Sequence, residues 1–79
     1  MTFRSTFTFE TVRSDYDDVM QILNEYIEQG RLEIDKFETE VRDGTWIGIF
    51  TVSCSPNDYV DILGELMKNW LLLETWNGV

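Results

Sequence analysis

Apolar and polar residues alternate along the start of the chain: Phe3, Phe7 and Phe9 share one parity, and Arg4, Thr6, Thr8 and Glu10 share the other. A period of two predicts a strand with one face buried. The period then changes. Tyr16, Val19, Met20, Leu23, Tyr26 and Ile27 recur at steps of three and four, which places them on one stripe of a helix, and Gly30 follows as a C-terminal stop. Ser14 stands three residues before Asp17, the spacing of a capping hydroxyl, so the helix is expected to begin there.

Residues 31 to 53 read as a β-hairpin. Two runs rich in β-branched and aromatic residues flank Asp43-Gly44, a dipeptide that tolerates the positive φ angles of a type I′ turn. With those two residues as the loop, Arg42 pairs with Thr45, Val41 with Trp46, Glu40 with Ile47, Thr39 with Gly48, Glu38 with Ile49 and Phe37 with Phe50. This register assigns Phe37, Val41, Trp46, Phe50, Val52 and Cys54 to the core face. Lys36, Glu38, Glu40 and Arg42 fall on the other face with Ile47, Ile49 and Thr51. Leu32 and Ile34 have the wrong parity for the core, which predicts a bulge near Asp35-Lys36.

Ser55-Pro56-Asn57-Asp58 is a second helix start, with Ser55 as cap and Pro56 in the first turn. Tyr59, Ile62, Leu63, Leu66, Met67 and Trp70 continue it as an apolar stripe. Beyond Lys68, residues 71 to 76 suit either a fourth strand, the preferred reading, or a continuation of the helix. The order β-α-β-β-α-(β) resembles the ferredoxin-like split βαβ fold: an α+β two-layer sandwich in which two helices cover one face of an antiparallel sheet. The resemblance rests on element order over residues 1 to 79, one domain. It implies central first and third strands, with Thr6, Thr8, Ile47, Ile49 and Thr51 in the middle of an uncovered face.

Composition narrows the function. Five Phe, three Trp and three Tyr give a dense core to a chain of 79 residues. A single cysteine and no histidine leave neither an internal disulfide nor the usual zinc ligands, and point to a reducing, cytoplasmic setting. No apolar run is long enough to span a bilayer. Cys54 sits on core parity, where a thiol is inert, and a serine nucleophile would lack a histidine base, so no enzymatic function and no cofactor are expected. Glu33 with Asp35, or Glu38 with Glu40, places two carboxylates on one face of a strand, an arrangement that suits a solvated edge better than a cation site. The formal net charge of −9 disfavours direct binding to nucleic acid or anionic membranes and favours basic partners.

The acidity is concentrated. Residues 15 to 43 hold ten acidic and three basic residues. If Asp17, Asp18, Glu25 and Glu28 of the helix face the same way as Glu33, Asp35, Glu38, Glu40 and Asp43, they form a negative surface that fits a basic channel built for phosphates. Ordinary solubilising charge is the plainer alternative. Ile47 and Ile49 would supply apolar anchoring within that polar rim. The expectation is therefore a small non-enzymatic inhibitor of a nuclease or nucleic-acid-binding complex, analogous to phage-encoded anti-CRISPR or anti-restriction DNA mimics, or to immunity and antitoxin proteins. The alternative is a structural or regulatory ferredoxin-like module that forms a homodimer through its open sheet face.

Overall fold

The computed structural model describes residues 3–77. Its elements are β1 (Ser5–Val12), a single 3-10 turn (Arg13–Asp15), α1 (Tyr16–Glu28), β2 (Leu32–Arg42), β3 (Thr45–Cys54), α2 (Pro56–Lys68) and β4 (Glu74–Asn77). The sheet runs β2-β3-β1-β4 with every pairing antiparallel. The fold is ferredoxin-like, with the first and third strands central. The fourth strand exists but begins at Glu74 rather than Leu71.

The hairpin forms in the expected register, from Phe37 opposite Phe50 to Arg42 opposite Thr45. Asp43 and Gly44 both have positive φ, 52° and 80°, as a type I′ turn requires. The register shifts between Ile34 and Lys36, so Asp35 is the extra residue of a bulge. That shift returns Leu32 and Ile34 to the core face, opposite Cys54 and Val52.

Both helices end in the same way. Gly30, at φ 71°, donates its N–H to Ile27 O at 3.0 Å, and the Arg31 N–H reaches Tyr26 O at 2.9 Å, closing a Schellman motif. At the end of α2 the equivalent bonds run from Trp70 N to Met67 O at 3.1 Å and from Leu71 N to Leu66 O at 2.8 Å. Trp70 occupies the left-handed position, at φ 59°, which costs a residue with a Cβ about 1–2 kcal/mol. The start of α2 is capped as expected: Ser55 Oγ accepts from the Asp58 N–H at 3.2 Å, and Pro56 opens the first turn. Ser14 does not cap α1. It lies inside the 3-10 turn, and Asp15 precedes the helix without a side-chain cap.

The core joins both layers. Phe9, Val19, Leu23, Phe50, Val52, Cys54, Ile62 and Leu66 are fully buried. Phe50 stacks on Phe9 at 5.1 Å and meets Phe37 at 4.7 Å and Tyr16 at 6.0 Å between ring centroids. Arg13 lies over the rings of Tyr16 and Phe37. Gly48 is buried beneath Phe37, whose Cε1 would stand 3.1 Å from an added Cβ, so a side chain here would require the Phe37 ring to give by a few tenths of an ångström.

Three residues expected on the buried face of the sheet lie outside the core. Val41 and Trp46 face the helix side of the sheet yet are 54 % and 58 % exposed. An 11-residue strand reaches roughly 36 Å and a 13-residue helix roughly 20 Å, so the helical layer stops short of the hairpin tip. Phe3 precedes β1 and is exposed.

Thr11 is buried with no hydrogen-bond partner for its hydroxyl among the described residues. Thr11→Val keeps the shape and removes the desolvated hydroxyl, so it should stabilise the domain by about 1 kcal/mol, read as a higher urea midpoint with an unchanged slope.

Candidate functional site

The expected acidic surface divides between the two sides of the sheet. Glu33, Glu38 and Glu40 are exposed on the uncovered face of β2, while α1 covers the opposite face of the sheet. The nine acids therefore do not face one way. On the sheet side two of them, Glu38 and Glu40, have a basic neighbour. Lys36 Nζ lies 3.2 Å from Glu38 Oε1, Arg42 pairs with Glu40, and Asp35 at the bulge accepts a hydrogen bond from Ser53 Oγ. Asp43 occupies the exposed turn.

Ile47 is not an exposed anchor, since only 5 % of it is accessible. Arg42 forks across β3 to grip Glu10 of β1, Nη1 to Oε1 and Nη2 to Oε2, both at 2.8 Å. Ile47 lies between these strands on the same face, and the aliphatic stem of Arg42 shields it. Leu73 closes the other side, its N–H donating to Glu10 O at 2.8 Å. Ile49, opposite Glu10 and Glu38, is half-buried.

Glu10 itself was expected on the solvated face, yet it is only 3 % exposed. The hydrogen bonds that Arg42 donates to Glu10, and secondarily to Glu40, raise its pKa further and keep the guanidinium charged. The pair could have been suspected from parity, which puts Glu10 and Arg42 on one face. Reaching it required the β1–β3 register, which brings two residues 32 positions apart in sequence to one end of the sheet.

On α1 the acids have no such partners among the described residues. Asp17, Asp18, Glu25 and Glu28 are all exposed, and among the described residues no basic side chain forms an ion pair with them. At 100° per residue the four fall within about a third of the circumference of α1, opposite Val19 and Leu23. A groove of about 600 Å³ separates α1 from the end of α2, with Asp18, Glu25 and Glu65 on its walls and Ile22, Tyr26 and Leu71 among its apolar lining. The cation in this groove, Arg31, is already engaged: its Nε donates to Asp58 Oδ1 at 3.0 Å and its guanidinium lies over the Tyr26 ring. That hydrogen bond is the main reason the Asp58 carboxyl sits below its usual range.

Cys54 is buried, and desolvation pushes its thiol up to about 11, so it carries its proton at neutral pH. Tyr59, stacked on Phe7 at 3.9 Å, is likewise pushed up to about 12 by burial. Trp70, expected in the core, is instead 91 % exposed. The side chain of Trp76 lies outside the described residues; the backbone register pairs Trp76 with Thr8. No helix among the described residues is long and apolar enough to cross a membrane.

No protein-family model and no curated protein matches this chain. Among solved structures it is similar to the ACT domain from GTP pyrophosphokinase of Chlorobium tepidum, determined in solution, with a TM-score of 0.54 and 10 % identity over 94 % of this chain and 83 % of that one. At that identity the likeness concerns the fold, a ferredoxin-like βαββαβ arrangement.

Proposed function

We propose that this domain is a non-enzymatic acidic binding module whose α1 face occupies a basic, phosphate-binding surface of another protein and thereby inhibits it. The observation that supports this reading is the row Asp17, Asp18, Glu25 and Glu28, exposed and without a described cation. From Asp17 to Glu28 the helix rises roughly 16 Å, so its four carboxylates average about one per 5–6 Å, grouped as Asp17-Asp18 and Glu25 with Glu28. That is sparser than the one charge per 3.4 Å or so along a single DNA strand, so the row presents two acidic groups roughly 10 Å apart, each able to stand where a backbone phosphate would sit. The partner class that follows is a nuclease or nucleic-acid-binding complex that grips one backbone strand with Lys and Arg. The sheet face serves this role less well, because Lys36 lies against Glu38 and Arg42, shared between Glu10 and Glu40, places a second cation among its carboxylates. Dimerisation through that face also has little apolar area to build on, since Ile47 is covered.

Reversing all four α1 acids to lysine should leave folding intact, because they touch nothing in the core. It should slow association with the natural partner at least about tenfold at low salt, through loss of electrostatic steering. The measurement is capture from host extract by wild type and variant, with bound proteins identified and then challenged with DNA. A partner that is basic, displaced by DNA and lost in the variant is the expected result. Capture that survives both the reversal and the DNA would overturn the proposal. Reversal of Glu33, Glu38 and Glu40 serves as the control and should reduce capture much less.

A further inference from the structure

The outer face of α2 carries a row of residues that the fold does not use. Val60 is 65 % exposed, Met67 64 % and Trp70, just beyond the helix, 91 %. Val60, Gly64 and Met67 stand four and three residues apart, so they align on one stripe of the helix. Gly64, at its centre, has no internal explanation. It sits in the middle of α2, its φ is not positive, and an added Cβ would meet nothing within 4 Å. Glycine weakens a helix relative to alanine, so this position sacrifices stability without any gain inside the molecule. A small residue in the middle of an exposed apolar stripe does permit a second backbone to approach closely.

We infer that the stripe is the contact between two copies of this chain, α2 packing antiparallel on α2 with the two-fold axis at Gly64. The charges argue for a second copy. In an antiparallel pair centred on Gly64, residues at nearly equal distances from it on opposite sides come close, so Val60, four before it, lies within about one residue of Met67, three after it, on the second copy. Asp61 and Lys68 lie on the same flank of the stripe and on opposite sides of Gly64, so each approaches its opposite charge on the second copy. Lys68 has no acid within ion-pair distance among the described residues, and Asp61 makes a 3.7 Å contact to Arg31 through one oxygen while staying 61 % exposed. A patch whose charges complement themselves after a two-fold rotation is what an isologous interface requires. Trp70 contributes about 200 Å² from each copy. With roughly 100 Å² each from Val60 and Met67 the contact reaches about 800 Å² in total, below the size of stable specific interfaces and in the range of weak, transient ones. The dimer is therefore weak and concentration-dependent, and it leaves the acidic face of α1 free.

Sedimentation equilibrium at about 0.15 M salt, which screens the repulsion between two acidic copies, tests this. Wild type should pass from monomer to dimer between about 10 and 500 μM, the range expected of so small an interface. Gly64→Ala should separate two effects: a higher melting temperature in dilute solution, and association at least about tenfold weaker, because the added methyls separate the backbones. Lys68→Asp should also weaken the dimer, and adding Asp61→Lys should restore it. A wild type that stays monomeric throughout, or a Gly64→Ala variant that associates as tightly as wild type, would overturn the inference. So would a dimer that Ile49→Glu dissociates and Lys68→Asp does not, since association would then run through the sheet.

Discussion

Phe50→Ala should cost about 3–5 kcal/mol, the range for truncating a large buried aromatic side chain. Phe50 is inaccessible to solvent and touches the rings of Phe9, Tyr16 and Phe37, so it ties β1, the start of α1 and β2 to β3. Stability of about 0.05–0.15 kcal/mol per residue gives a domain of this size only about 4–12 kcal/mol in all. One substitution therefore removes a large share, and a substantial unfolded fraction at room temperature is the expected result. Urea unfolding followed by circular dichroism reads it directly. Trp46→Ala is the informative comparison. Trp46 carries a larger ring on the same face of the same strand but is 58 % exposed, so its loss should amount to about 1 kcal/mol or less. Equal losses at the two positions would mean that the helical layer covers the hairpin tip after all.

The second large effect is expected at Arg42. Replacement by methionine keeps much of the stem over Ile47 but removes the fork that neutralises Glu10. A buried carboxylate deprived of its cation is more destabilising than the pair is stabilising, because the desolvation of the remaining charge is no longer offset. Arg42→Met alone should therefore lower the urea midpoint clearly. Arg42→Met combined with Glu10→Leu should recover most of that loss, since a well-packed apolar pair dispenses with both charges. If the double variant is no better than the single one, the pair acts through packing of the arginine stem and not through charge.

Local elements were legible because short-range chemistry decides them. Asp43-Gly44 specified the type I′ turn and with it the register of β2 on β3, and the parity conflict at Leu32 and Ile34 located the bulge at Asp35. Ser55-Pro56 marked the start of α2, and Gly30 the end of α1. Ser14 misled because the chain takes a 3-10 turn before α1, which moves the helix start past the reach of its hydroxyl. The surface was harder to read. Parity distinguishes the two faces of a strand, but it does not say how far along the strand the opposing layer extends, so Val41 and Trp46 were expected in a core that ends before them. Nor does it say that a charged pair will close over an apolar residue, as Glu10 and Arg42 close over Ile47.

The candidate site moved for the same reason. By itself the sequence determined that the chain is acidic, that its acids cluster between residues 15 and 43, and that the elements follow the ferredoxin-like order, because composition, periodicity and turn chemistry are properties of near neighbours. Only the tertiary structure decided which acids keep their charge uncompensated. It carried Arg42 to Glu10, beyond the strand neighbours Lys36–Glu38 and Arg42–Glu40 that parity already put on one face, and left Asp17, Asp18, Glu25 and Glu28 on α1 without cations among the described residues. The Arg42–Glu10 part of that outcome depends on strand pairing across 32 residues, and such long-range juxtapositions have no signature in the local sequence.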